Sequence, residues 1–339
     1  MENQEENPID SDTNTTPSTF DNSLNLTVLT NGVAEIKREL QKVIIGQHEL
    51  VDALIIGILA NGNCLIEGVP GIAKTLSANL LAKTMDIDFS RIQFTPDLMP
   101  SDILGTSIFN PKNSEFEFKH GPIFSSIVLI DEINRAPAKT QSALFEVMAE
   151  KQITIDGKTY QMNEPFIVIA TQNPIEQEGT YRLPEAQLDR FLFKIELKYP
   201  SLEEETQILK NHNNREGKDE RAEVKAVLDS KQVLSIQDLV QKIKVEDSVQ
   251  SYIAKAVHAT RNHPMLYLGA SPRASIAILN ASKAKAALSG RDFVIPEDVK
   301  YVAPLALKHR VVVSPEKEME GISSTYIINE LIESLEIPR

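Results

Sequence analysis

Leu65, Ile66, Glu67, Gly68, Val69, Pro70, Gly71, Ile72, Ala73, Lys74, Thr75 and Leu76 read in order as the end of an apolar strand, a glycine-rich turn and the opening of a helix that continues to about Met85. A turn of this kind aims successive backbone N–H groups at one point beside the positive end of a helix, and so wraps a diphosphate. The lysine adds a point charge and the next hydroxyl a magnesium ligand. Lys74 is therefore expected on the β- and γ-phosphates, Thr75 on Mg²⁺, and Gly68, Val69, Pro70, Gly71, Ile72, Ala73 and Leu76 around the nucleotide. The strict pattern has glycine where Ala73 stands. A methyl is tolerable there if φ is negative. The bland alternative is a strand-to-helix turn with a solvent-facing lysine; the register of Gly68, Gly71, Lys74 and Thr75 after a buried strand disfavours it.

The second half of such a site is expected at Ile127, Val128, Leu129, Ile130, Asp131 and Glu132, a buried strand that ends in two acids. An acid at the carboxyl edge can hold hydrated Mg²⁺, and its neighbour can orient or deprotonate water aimed at the γ-phosphorus. Asp131 takes the first role and Glu132 the second. On its own, an acid at a strand end caps the following helix as readily. The phosphate loop upstream gives the pair its chemical meaning.

Working outward, short apolar runs recur at Cys64–Ile66, Arg91–Phe94, Ile127–Ile130, Phe166–Ala170 and Phe193–Leu197, separated by polar or helical stretches. Several are continuous rather than alternating, which suits strands covered on both faces by helices. The expected fold class is α/β, a parallel sheet flanked by helices. Two interruptions read as hairpins: Thr106–Phe118, with a turn at Asn110 to Asn113, and Ile153–Tyr160, around Asp156 and Gly157. Before the sheet, Val33, Ile36, Leu40, Val43 and Ile44 mark one helix, and a second runs from Gln47 to about Leu59. After Pro200 the pattern turns helical: Val249, Tyr252, Ile253, Ala256, Val257 and Thr260 form one face, Ser271 and Pro272 an N-cap and first helical residue, and Ile327 to Leu335 a closing stripe. These predict a disordered tail over 1–24, an α/β core over 25–200 and a small all-α lid domain over 201–339.

The 339 residues carry 35 Lys and Arg against 48 Asp and Glu, a net charge of −13. Seven acids and no Lys or Arg lie between Met1 and Ile36, leaving −6 for the remainder. A mildly acidic body offers no general drive toward a phosphate backbone, so nucleic acid is a disfavoured partner. The single cysteine, Cys64, excludes an internal disulfide and a cysteine-built zinc site, and the six histidines lack zinc spacing. No apolar run has membrane-spanning length and no signal peptide is legible, so a cytoplasmic location is expected.

Gly68 to Thr75 followed by Asp131, Glu132, Ile133, Asn134, Arg135 and Ala136 resembles the AAA+ ATPase superfamily. Thr171 to Pro174, Leu183 to Phe191 and Gly269 to Ala274 resemble its MoxR branch, and the likeness covers about Val33 to Ile337. The resemblance implies ATP as the nucleotide, a P-loop AAA+ core and a helical lid. It makes Asn173 the first sensor, Arg190 an arginine finger reaching the neighbouring subunit's nucleotide, and Arg273 the second sensor. Arg273 would answer to the γ-phosphate while the core grips the β-phosphate, so that hydrolysis swings the lid. Ile45, Gly46 and Gln47 fall where the family lays its chain along adenine, and Arg135 where a contact could cross a subunit boundary or form a surface ion pair. A homo-oligomer, a hexameric ring by family expectation, follows from a finger lent head to tail. The implied work is chaperone-like remodelling of protein clients, with a von Willebrand factor A domain protein as partner and metal or cofactor insertion or complex maturation as possible settings. Two other readings use the same residues: a nucleotide-gated assembly module with little turnover, and a DNA-directed motor, which the acidic body disfavours.

Overall fold

The computed structural model describes residues 26–69, 71–174, 180, 181, 183–215 and 217–338. The expected tail over 1–24 and the loop residue Pro70 lie outside the described residues. The chain opens with α1 (Thr27–Gln41) and α2 (His48–Leu59), then β1 (Cys64–Glu67), α3 (Lys74–Thr84), β2 (Phe89–Gln93) and α4 (Pro100–Leu104). A hairpin of β3 (Gly105–Asn110) and β4 (Glu115–His120) leads to β5 (Ile127–Asp131) and α5 (Ala138–Glu150). A second hairpin, β6 (Gln152–Ile155) and β7 (Lys158–Gln161), precedes β8 (Ile167–Gln172), α6 (Glu185–Leu188) and β9 (Phe193–Glu196). The rest is mainly helical: α7 (Leu202–Asn214), α8 (Ser230–Gln241), α9 (Asp247–Arg261), β10 (Leu266–Leu268), α10 (Pro272–Leu288), α11 (Pro296–Leu307), β11 (Val312–Val313), α12 (Pro315–Met319) and α13 (Ser324–Ser334).

Five strands form one parallel sheet in the order β2-β5-β8-β1-β9. Alternate residues face opposite sides, and both sides are apolar. Ile127 and Leu129 of β5 pack with Cys64, Ile66, Ile167 and Ile169 against α1, α2 and α3. Val128 and Ile130 face the other way with Leu65, Val168 and Ala170, against Leu144, Phe145 and Met148 of α5. Two-sided burial is why these runs read as continuously hydrophobic. Burial pushes the Cys64 thiol up to about 12, so it is a packing group and not a nucleophile.

Both predicted hairpins are present. Asp156 (φ 52°) and Gly157 (φ 74°) make the two-residue turn between β6 and β7, with both φ angles positive as their pairing requires. The hairpins lean on each other: the Ser107 hydroxyl donates to the Asp156 carboxylate, and Phe118 lies 4.5 Å, centroid to centroid, from Tyr160. The helical region also contains a short antiparallel ribbon, β10 with β11, which is too brief to leave a periodic signal.

The lid helices share one apolar core with the sheet. Ile55, Ile56 and Ile66 belong to the same buried cluster as Val257, Ile278, Val302 and Leu331. Helix α10 buries alanines at positions 274, 277, 281, 284, 286 and 287, and these small side chains let it sit close to α2, α9 and α11. Helix α11 packs on β9, and the three residues after it, Lys308, His309 and Arg310, are buried in the seam. Lys308 Nζ lies 3.3 Å from Glu196, and burial pulls its pKa below the usual lysine value. His309 Nε2 donates to the Phe191 carbonyl at 3.0 Å, while its buried Nδ1 has no hydrogen-bond partner among the described residues.

Burial, together with Arg310, Lys194 and Lys308, holds the His309 pKa well below its ordinary 6.5. The ring therefore stays neutral in the fold and takes a proton only on unfolding. The sign follows: the contribution is complete above the unfolded value and is lost as pH falls below it, by up to about 1.4 kcal/mol per pH unit. Thermal unfolding followed by circular dichroism between about pH 8 and pH 5.5 should show the midpoint falling on the acid side. His309→Gln keeps a donor for Phe191 and should flatten that fall; an unchanged slope would assign it to other groups.

Candidate nucleotide site

The carboxyl edge of the sheet gathers the predicted phosphate residues. Gly68 follows β1, its N–H donates to the Gln172 carbonyl at 3.3 Å, and its own carbonyl accepts from Lys74 Nζ at 2.6 Å. Val69 is half-buried in the loop. Gly71 has φ +85° with open space where a Cβ would stand, and Lys74, Thr75 and Leu76 form the first turn of α3. Ala73 has φ 61° and ψ 20°, a left-handed residue at the N-cap of α3. The expectation of a negative φ there is not met. The loop must turn its backbone inward before the helix starts, and alanine adopts this conformation at a cost of about 1–2 kcal/mol.

Across the loop, Thr75 Oγ1 lies 3.3 Å from both carboxylate oxygens of Asp131. Two oxygens on neighbouring vertices of a magnesium octahedron are about 3 Å apart, so this hydroxyl and carboxylate fit as ligands, with water and phosphate oxygens completing the shell. Asp131 is held by the Thr171 hydroxyl at 3.1 Å and by Arg91 Nε at 2.6 Å. Glu132 sits in left-handed backbone (φ 57°, ψ 53°), which turns its carboxylate out of the strand direction toward Gln93 Nε2, 2.8 Å away, and Arg135 Nε, 2.9 Å away. Arg135 thus forms an ion pair within its own chain. Asn173 is buried one residue beyond β8, beside the strand that carries Gly68.

A cavity of about 340 Å³ adjoins the loop, lined by Ile44, Ile45, Gln47, Gly71, Ile72, Ala73 and Leu76, with Ile208, Leu209 and His212 of α7 as its far wall. Its largely apolar lining suits a flat aromatic base. Gln47 (φ 41°) and Gly46 (φ +69°) make the bend into α2; Gln47 lines the cavity, while Gly46 faces Glu204 instead.

Arg190 and Arg273 stand elsewhere. Leu192 N–H donates to the Asn63 carbonyl, just before β1, so the segment from Asp189 to Leu192 lies at the amino edge of the sheet. The length of β1, about 13 Å for four residues, separates it from the phosphate loop. Arg190 is exposed, with Nη1 donating to the Phe145 carbonyl at 2.9 Å. Arg273 is also exposed, 3.6 Å from Asp189, and the Ser271 hydroxyl donates to the same carboxylate at 3.0 Å. Arg273 therefore does not face the γ-phosphate its own core would hold. The start of α10 is tethered to Asp189, the residue immediately before Arg190.

The sequence pattern of the ATPase family associated with various cellular activities matches residues 63–193, and that of the AAA lid domain matches residues 258–331. Chaperone MoxR1 of Mycobacterium tuberculosis is 44% identical over 310 residues, covering 89% of this chain and 81% of that protein. This chain belongs to the MoxR family of AAA+ ATPases. YeaC of Bacillus subtilis is 46% identical over 299 residues, covering 88% of the chain and 92% of YeaC. The crystal structure of a Cytophaga hutchinsonii protein, 45% identical, superposes with a TM-score of 0.86 over 93% of this chain and 97% of that one.

Within this MoxR-family site, sequence reasoning missed Arg91, Gln93 and Thr171, which hold the two acids, and the α7 wall of the base cavity. Alternation in β2 places Arg91 and Gln93 on one face, but nothing local marks their partner as Asp131 or Glu132. The strained loop gives an ordered series. Ala73→Gly removes the left-handed penalty and adds about 0.5–1 kcal/mol of unfolded-chain freedom, whereas a β-branched residue deepens the penalty. Thermal midpoints should therefore rank Ala73→Gly at or above the parent and Ala73→Val below it by several degrees; equal midpoints for all three would mean that the left-handed residue carries no strain.

Proposed function

We propose that the protein is a ring-forming ATPase that spends ATP hydrolysis on remodelling protein clients, with each active site completed by the neighbouring protomer. The observation that carries this reading is the separation of chemistry between the two edges of one sheet. The loop, Thr75, Asp131, Glu132 and Asn173 lie at the carboxyl edge, and Arg190 and Arg273 at the amino edge. Arg190 and Arg273 stand across the sheet from their own phosphate loop, but a head-to-tail neighbour can present both to it, and such contacts close into rings. A hexamer is the expected closure.

In the reaction, Lys74 exchanges its contact with the Gly68 carbonyl for the β- and γ-phosphates. Thr75 and Asp131 would hold Mg²⁺, which would supply charge neutralisation for the phosphates. Glu132 orients the attacking water and accepts its proton, and Asn173 steadies that water by hydrogen bonding. The neighbour's Arg190 and Arg273 balance the negative charge that grows on the γ-phosphoryl oxygens as the bond to the leaving diphosphate breaks. The 25–200 core and the 201–339 lid serve as the two working parts, and a cytoplasmic setting fits the absence, among described residues, of any helix long and apolar enough to cross a membrane. The chaperone role is supported by the name and similarity of MoxR1, and a von Willebrand factor A domain partner by family resemblance.

Glu132→Gln leaves the phosphate loop intact and removes the base. Steady-state phosphate release should fall by about 10²- to 10⁴-fold while binding of a fluorescent ATP analogue persists. Native mass measurement of that complex should show a closed ring, and affinity capture with it should retain the client. Phosphate release at the parent rate would remove Glu132 from the chemistry. A parent protein that binds ATP and never releases phosphate would replace the motor with a nucleotide-gated module.

A further inference from the structure

We propose that Arg310 is the positioning residue for the Arg190 finger, the lid side chain that fixes where the finger points and so passes lid movement to the neighbouring protomer's ATP site. The inference rests on the composite site proposed above. The Arg310 side chain is only 3% exposed. Its Nε donates to Asp189 Oδ1 at 2.8 Å, Nη2 donates to the carbonyls of Asp189 at 3.0 Å and Phe191 at 2.7 Å, and Nη1 donates to those of Leu192 at 3.1 Å and Ala306. One guanidinium thus grips the main chain on both sides of Arg190 without touching Arg190 itself.

This segment lies between α6 and β9, outside regular structure, so its buried carbonyls have no ladder to satisfy them. Five donors in a rigid fork can serve several carbonyls together; an ammonium on a flexible stem cannot hold that geometry. Packing alone does not explain the residue. Apolar side chains of similar volume stabilise a seam as well as a buried charge does, whereas the charge supplies direction. The other lid contacts converge on the same spot. Asp189 accepts from Ser271 at 3.0 Å, lies 3.6 Å from Arg273 and pairs with Arg310, so three lid residues meet on the residue immediately before the finger. A lid displacement is delivered to Arg190 through that carboxylate and the three gripped carbonyls.

Arg310→Lys keeps the charge and loses the fork. Its kcat should fall about tenfold to a hundredfold, the scale of a misaimed catalytic group, with unchanged binding of a fluorescent ATP analogue and unchanged subunit count. Mixed in equal amounts with Lys74→Ala, which has a disabled loop and an intact finger, it should regain roughly a quarter of parental activity, because about one interface in four then joins an intact loop to an intact finger. Arg190→Ala mixed with Lys74→Ala is the control. Recovery in the control but not with Arg310→Lys would show that Arg310 serves its own protomer, overturning the proposal and leaving the composite site standing. Failure of both mixtures would remove the composite site and this inference together, and an unchanged kcat in Arg310→Lys alone would also overturn it. If Arg310→Lys does not assemble, Asp189→Asn loosens the same clamp from the finger side, keeps the backbone contacts, and is judged by the same mixture.

Discussion

The parallel pairing of β1 between β8 and β9 is the constraint on which the site depends. With Cys64 beside Ile169 and Phe193, and Glu67 beside Gln172 and Glu196, the register fixes what emerges at each end. At the carboxyl end the chain leaves β1 into the phosphate loop, β5 into Asp131 and Glu132, and β8 into Asn173. At the amino end the chain enters β9 through Asp189 and Arg190. A slip of one residue in either pairing would exchange the two buried faces of the strand and misfit each against its covering helices. The same apolar pressure that stabilises the sheet therefore also keeps the glycine-rich loop with its acids and the Asp189–Arg190 segment on opposite edges.

The lid adds to this frame and is not hung loosely from it. A continuous core joins Ile56 and Ile66 to Ile278 and Val302, and Lys308, His309 and Arg310 close the seam along β9 with buried polar contacts. Lys308 reaches Glu196 at one end of the strand while Arg310 reaches Asp189 at the other. Lys194, in the middle of the strand, pairs with Glu67 at 2.7 Å, immediately before the phosphate loop. Breaking the Arg310–Asp189 pair would strand a charge in a poorly hydrated place, which costs far more than a surface ion pair returns. Such a seam couples any displacement of the lid to the β9 edge of the core.

Much of this was legible in the chain. Continuous apolar runs gave the parallel strands, Asp156 and Gly157 gave a hairpin, and the loop and its following acids are found gathered at one sheet edge, because each signal is local and has a single steric or electrostatic cause. What was not legible depends on contacts between distant segments. Arg91 is separated from Asp131 by forty positions and Arg310 from Asp189 by more than a hundred, and a lone arginine carries no mark of its partner. Arg273 shows the limit most clearly. A cation in the first turn of α10 opposes the helix dipole, and the anion it meets is Asp189, more than eighty positions away in the chain. Ala73 shows another limit, since its sequence position identified the turn but not the sign of its φ.

The acids of the site are already engaged, and this shapes how a nucleotide must bind. Arg91 pairs with Asp131, and Gln93 and Arg135 hold Glu132, while Lys74 donates to the Gly68 carbonyl. Leaving charges of this kind unpaired at a half-buried edge would cost several kcal/mol, so the fold supplies internal partners. ATP with Mg²⁺ then gains only the difference between new and old contacts. At Lys74 an anionic phosphate would replace a neutral carbonyl, and at Asp131 any cation held there would compete with a single guanidinium. Both exchanges would favour an anionic ligand that brings its own cation, and Arg91, paired with Asp131, stands where a further positive charge would meet it.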